Sequence, residues 1–473
     1  MSPPRHNCRV DQLTSLASDD PWARLRRRFL VGVFTSCVGD GMVALIGSFF
    51  VYHQTHSVSA VALIVVFTNV PGLFLPAIAT RLANHWGGGR LYCTSWGLFY
   101  LFSLIPFVVG LTGHLTASVL LAWFLLEGIV LGLGGPSSGM VRTFLTPPGR
   151  SAEFNGRSTR CIAVGTVIGI LIATPISSVF GISWVFFVNF LVGMPLVLSV
   201  LPLMEPMAEA RAKMLANAEE NPGFAGFFKV RRNRPEIRAD FRYTLIVFLL
   251  SGYAVTLPAV ADGISHRSSV LSLLQAAAVV GGILVVTAIR FVHGRYTWVR
   301  VQRTCLIVIS TGIFFLGWDA QRIHHASWEL TAVVLTIVPV GFALNLDSSI
   351  LGALIQVAAP KAERASVLAA YALIPMIAIP LSQVLISAFA DLVSVPCALI
   401  VIGAGMLFVI FLPRQWAMRA AFSQLDDTPT FPESSEELDQ QVTTTIGDLR
   451  EAGQPIADQR PGPELPNLRQ SDH

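Results

Sequence analysis

The chain has 473 residues, 53% of them hydrophobic and 13% charged, and a mean hydropathy of +0.61, so a water-soluble globule would leave far too much apolar surface unburied. Its net charge of +4 arises from basic residues spread between apolar runs instead of gathered on one face, which argues against nucleic acid as a partner. The six cysteines lie far apart with no C-x-x-C and the histidines do not cluster, so no metal, redox centre or other cofactor is expected.

Lipid cannot hydrogen-bond a bare backbone, so only helices and closed barrels cross a bilayer. A spanning helix needs about 20 mostly apolar residues, and the apolar runs here have that length without the period-two alternation of barrel strands. The predicted fold is therefore an all-α membrane protein with the lipid bilayer as its solvent.

Residues 1–28 are polar and read as a cytoplasmic N-terminal segment. The first run, 29–52, is too long for a cleaved signal peptide and is expected to be retained. Asp40 lies about 11 residues into it, or roughly 17 Å at 1.5 Å per residue, near the bilayer midplane. The second run, 58–81, carries Asn69, Pro71 and Pro76 and leads into a short loop with Asn84 and Gly87. After a third run at 91–111, the fourth, 117–141, places Glu127 at a depth similar to that of Asp40. Runs five and six, 158–180 and 182–203, contain Arg160, Gly165, Gly169, Pro175 and Asn189. Gly165 and Gly169 form a small-x-x-x-small face for close helix approach, and Pro175 frees a carbonyl where the helix can bend.

A basic, polar stretch at 204–241 divides the chain into an N-terminal half, 29–203, and a C-terminal half, 242–412. The second half contains runs at 242–261, 269–291, 300–318, 330–356, 365–390 and 395–412, giving about twelve spans in two six-helix halves. Gln275, Asn345, Asp347 and Gln383 are its mid-run polar groups. Residues 413–473 are acidic and proline-rich with no sustained apolar face, and read as a disordered cytoplasmic tail.

Alternation of the spans puts the central stretch, Arg24–Arg28, Arg81, Arg90, Arg157, Arg295 and Arg364 on one side, while the opposite loops hold only Arg267 and Arg322. By the positive-inside rule the basic side and both termini are cytoplasmic. Only Lys213, Lys229 and Lys361 are lysines among 33 basic residues, an arginine bias that points to GC-rich coding and to a bacterial inner membrane.

Six plus six spans with a long basic central loop resemble the major facilitator superfamily. Local residues are similar to its bacterial enterobactin-exporter-like and multidrug-efflux branch: Ser36, Gly39 and Asp40 as S-x-x-G-D, the glycine-rich helix around Arg160, Gly165 and Gly169, Leu257-Pro258, Gly281-Gly282, and Gln356, Pro360 and Arg364. The chain departs from the pattern at Asn84, where an aspartate is usual, and at Glu127-Gly128, where many antiporters carry arginine. The resemblance implies a monomeric secondary transporter that exports a small organic molecule, a siderophore, secondary metabolite or drug, in exchange for protons by alternating access. An uptake permease of the same fold and a non-transporting membrane sensor or scaffold, docking a partner through the tail, are the alternatives.

A charge near the bilayer centre costs several kcal/mol unless it is paired, protonated or hydrated, so Asp40, Glu127 and Asp347 are the expected proton-coupling or substrate groups. Asn69, Asn189, Gln275, Asn345 and Gln383 are candidate cavity residues that serve equally well as interhelical glue. Asn84, Gly87, Arg160, Gly165, Gly169 and Pro175 are expected in gating and bending. The span-end acids Asp262, Asp319, Glu329 and Asp391 read as solvated helix termini, and the tryptophans as an interfacial belt. No Walker G-x-x-x-x-G-K-[ST] is present, so ATP is not the expected energy source, and no H-E-x-x-H supports an enzyme.

Overall fold

The computed structural model describes residues 21–146, 151–208, 235–265, 267–292, 295–321, 327–359, 364–410 and 422–423. The segment before Pro21, most of the central stretch and nearly all of the expected tail lie outside the described residues.

Among the described residues, twelve spans are built from seventeen α-helices. The N-terminal half comprises α1 (Pro21–Thr55), α2 (Val58–Asn69), α3 (Pro71–Phe74), α4 (Pro76–Trp86), α5 (Gly88–Phe102), α6 (Leu104–Leu111), α7 (Ala117–Leu145), α8 (Ser151–Phe180) and α9 (Ile182–Val200). The C-terminal half comprises α10 (Pro235–Leu250), α11 (Leu257–Ile264), α12 (Ser268–Ile283), α13 (Val285–Val292), α14 (Trp298–Ala320), α15 (Ser327–Ala358), α16 (Arg364–Leu392) and α17 (Val395–Val409). Among the described residues nine spans are long and apolar enough to cross a membrane, and Val58–Phe74, Ser268–Ile283 and Val395–Val409 are three shorter apolar ones.

Apolar runs underestimate the helices, because a helix continues into water wherever its polar residues tolerate it. Thus α1 begins at Pro21, well before Phe29, and α5 begins at Gly88. Elsewhere the runs hide breaks. The second span is interrupted at Val70 and Leu75, each directly before a proline whose ring removes an N–H from the hydrogen-bond ladder, although both residues keep right-handed helical angles. Pro258 does not end the seventh span, as its place in the run implies. It sits in the first turn of α11, where a missing N–H is harmless, and the span runs on to Ile264.

The break before α11, a 3₁₀ turn at Gly252–Thr256, is stitched by one side chain of α16: Ser382 Oγ accepts from Gly252 N at 3.1 Å and donates to Leu249 O at 2.6 Å. Backbone groups freed by the break are thereby satisfied within the protein, as hydrocarbon requires.

In the N-terminal half α1 packs most extensively on α8 and α9, and in the C-terminal half α14 packs on α15 and α17. The halves meet mainly through two helix pairs, α2 with α16 and α8 with α12. One apolar cluster runs through both halves, from Met42, Leu45 and Phe186 to Leu271, Ile309 and Met406. Phe422, within the stretch read as tail, is 1% exposed and belongs to it. Toward the basic end the halves have separate clusters, around Phe29, Tyr100 and Leu203 on one side and Ile237, Ile355 and Val367 on the other. The molecule is thus joined across its halves at the end carrying Ser57 and Asp391.

Candidate functional site: a cavity between the halves

Packing without side chains determines which way the acids face. A Cβ on Gly39 would stand 2.1 Å from Asn189 Oδ1 of α9, and one on Gly41 would stand 2.6 Å from Thr166 O of α8. Contact that close holds α1 against both helices on either side of Asp40. In the same way a Cβ on Gly128 would lie 2.0 Å from Phe67 O, so α7 crosses α2 backbone to backbone beside Glu127.

Both acids line one cavity of about 450 Å³. From the N-terminal half come Asp40 and Ser48 of α1, Thr68 and Asn69 of α2, Trp96 of α5 and Glu127 of α7. The C-terminal half contributes Val255 and Pro258 beside the broken seventh span, Gln275 of α12 and Gln383 of α16. No lysine, arginine or histidine is among the described residues lining it. A volume in the range that takes small organic ligands, mostly apolar walls and a few polar groups drawn from both halves are the attributes of a binding site.

The cavity brings together Asp40, Glu127, Asn69, Gln275 and Gln383, which lie far apart in the chain. Asp347, Asn345 and Asn189 are elsewhere. Asp347 is 1% exposed and accepts from Gln302 Nε2 of α14 at 2.9 Å, so it is held in a helix interface and does not reach toward water. Asn345 Nδ2 donates to Gly341 O one turn back at 2.8 Å. Asn189 is wholly buried and donates to Ser103 Oγ at 3.0 Å, across the break between α5 and α6.

Among the expected conformational residues, Gly165 and Gly169 face α1, where added Cβ atoms would meet Phe34 O at 2.6 Å and Val38 O at 2.0 Å. Pro175 lies within α8, which continues to Phe180. Arg160 is exposed on the same helix, and Gly87 has φ +90° at the turn between α4 and α5. The Asn84 side chain lies outside the described residues.

Sequence reasoning missed three features. Trp96, read as interfacial, lies eight residues inside α5, about 12 Å deep, and donates from Nε1 to Ser138 Oγ at 3.1 Å. Trp123 is also interior, 2% exposed and donating to Phe102 O. The stretch Gly135-Pro-Ser137-Ser-Gly139 has the G-x-S-x-G spacing of a nucleophile elbow, but Ser137 is inside α7, fully buried and donating to Gly134 O, with no strand-to-helix turn to present it.

The third is Asp391. It reaches across the halves, accepting from Ser57 Oγ at 2.8 Å, Val58 N at 2.9 Å and Ser59 N at 3.0 Å at the start of α2. A carboxylate at a helix N-terminus satisfies orphan N–H groups and complements the helix dipole. Nearby cross-half bonds run from Ser272 Oγ to Ile170 O at 3.0 Å and from Gln275 Nε2 to Ser48 Oγ at 3.5 Å. The signal available in the sequence was Asp391 directly after the run 365–390 and Ser57 directly before the run 58–81. Only folding pairs them.

Two six-helix halves in contact at one end, with a ligand-sized cavity between them, define a membrane transporter working between two faces of a bilayer. The model of the Major Facilitator Superfamily matches residues 29–383, three quarters of the chain, and the protein belongs to that superfamily. No curated protein matches it. Similar solved structures include the nucleoside transporter NupG, with TM-score 0.64 and 13% identity over 84% of this chain and 99% of that one. A bacterial metal transporter has TM-score 0.58 and 15% identity over 86% and 100%, and a D-xylose-proton symporter 0.57 and 13% over 83% and 97%. At these identities the likeness is one of fold.

Proposed function

We propose that the protein is a proton-coupled secondary transporter that exports a small organic molecule from the bacterial cytoplasm. The observation that supports this reading is the placement of Asp40 and Glu127 in one cavity bounded by both halves. Charge at that depth is tolerated only when neutralised or hydrated, so each carboxylate holds either a proton or a substrate group. Competition of that kind couples the two flows: substrate loads when the acids are ionised and leaves when they take up protons on the other side. The basic end is taken as cytoplasmic, with both termini on that side. The cross-half bonds at Ser57–Asp391 then close the outer face, and the conformation is the one that loads from inside.

Rocking of one half against the other around the cavity would exchange the two faces, with broken helices as the compliant parts. Glycine contacts along α1 and α8 bring the two backbones close together, which supports their moving as a unit. An uptake permease is the second reading, favoured by the fold shared with a protein described as a D-xylose-proton symporter.

Cells producing the intact protein, the Asp40→Asn variant or no protein, at matched membrane levels, should be compared by untargeted mass spectrometry of cytosol and medium. A compound retained in cells only when Asp40 or the protein is missing supports export and identifies the substrate. Accumulation of a compound only when the intact protein is present reverses the direction. No compound redistributed in either sense refutes the transport reading.

A further inference from the structure

The cavity's hydrogen-bonding capacity is lopsided. Its donors are mostly committed within the protein: Ser48 Oγ to Ala44 O at 2.8 Å, Thr68 Oγ1 to Ile64 O at 2.7 Å, and Trp96 Nε1 to Ser138 Oγ at 3.1 Å. Asn69 Nδ2 donates to Val65 O at 2.9 Å, and Gln275 Nε2 to Ser48 Oγ at 3.5 Å, each spending one of two amide hydrogens. Its acceptors are left over. Asp40 Oδ1 and Gln383 Oε1 are sealed from solvent with no hydrogen-bond partner among the described residues, and Gln383, 8% exposed, comes from the opposite half to Asp40. Glu127, 7% exposed, adds a second carboxylate on the same wall system.

A buried acceptor without a donor is costly, more so when charged, so a ligand that supplies donors is selected over one that supplies acceptors. Two carboxylates with no lysine, arginine or histidine among the described lining residues add a negative potential. Trp96, Phe99 and Phe124 add aromatic rings to the lining, a residue type that suits a cation on an apolar body.

We infer that the substrate is a small organic cation, an amine or guanidine on an apolar body, whose N–H groups are held by Asp40 and Glu127 of one half and by the Gln383 amide of the other, which turns to present its oxygen to the cavity. Resting on the transport reading, this assigns the substrate's chemical class. It also assigns Gln383 a specificity role, because an N–H bound between Asp40 and Gln383 links the two halves across the cavity.

The test uses the full chain in detergent without any gradient, so that it is independent of transport. Thermal stability is measured against concentration for three probes sharing one body: 4-phenylbutylamine, its N-acetyl derivative and 5-phenylpentanoate. The amine should raise Tm in a saturable way, while the neutral amide and the carboxylate should bind at least tenfold more weakly. Asp40→Asn, Glu127→Gln and Gln383→Leu, each checked for a monodisperse gel-filtration peak, should weaken amine binding at least fivefold. Equal or tighter binding of the amide or carboxylate overturns the inference, as does an absence of binding by all three at millimolar concentration. Amine binding without uptake or efflux in proteoliposomes under a proton gradient would leave the binding assignment standing and refute transport instead.

Discussion

Asp391 offers a direct handle on the balance between the two conformations. Its carboxylate accepts three hydrogen bonds from the first turn of α2, at 2.8, 2.9 and 3.0 Å, and those bonds exist only while the halves touch at that end. A helix N-cap interaction is worth about 0.5–2 kcal/mol, and an exposed charge has its Coulombic share screened by water. Asp391 is exposed, and Ser57 Oγ still caps Ala60 N at 3.3 Å without it, so a net about 1–2 kcal/mol is the reasonable loss. Asp391→Ala should therefore raise the ratio of open to closed at this end about 5–30-fold. Asp391→Asn, which keeps one acceptor oxygen, should shift it less. Spin labels on His56→Cys and Leu392→Cys, in a background with the six native cysteines replaced, report the separation directly by double electron–electron resonance. A change in the long-to-short distance ratio under twofold for Asp391→Ala would show that these bonds do not set the equilibrium.

Three further outcomes test other parts of the argument. Gly169→Val, whose Cβ would lie 2.0 Å from Val38 O, should lower the yield of monodisperse protein severely, whereas Gly135→Ala, with nothing within 4 Å, should leave it unchanged; equal behaviour of the two would contradict the close packing of α1 on α8. Gln302→Leu leaves buried Asp347 one donor short and should cost about 1–3 kcal/mol, seen as a lower Tm, with amine affinity unchanged because that pair is outside the cavity lining. Deleting residues 427–473, which leaves the buried Phe422 in place, should preserve substrate movement in proteoliposomes; loss of transport with intact folding would favour the docking role of the tail.

The sequence by itself determined the class of molecule and most of its plan. Long apolar runs with arginines on alternate sides leave helices crossing a bilayer as the only way to satisfy the backbone, and a dozen runs with a polar middle yield two halves. It also marked Asp40 and Glu127, because depth along a helix follows from counting residues at a constant rise. Depth, however, is one coordinate. Which face of a helix an acid occupies depends on contacts between helices, and those were decided by Gly39, Gly41 and Gly128, whose absent side chains let backbones touch.

Asp347 and Glu127 look alike in sequence, each an acid within an apolar run, yet one is bonded to Gln302 in a helix interface and the other lines the cavity. Asp391 read as a solvated terminus because its partners lie more than 330 positions away, at the start of a span in the other half. Local pattern records how a residue sits relative to the membrane. Pairing across the halves is recorded only by the packing of the helices, since charge and hydropathy are properties of one chain position and a hydrogen bond is a property of two.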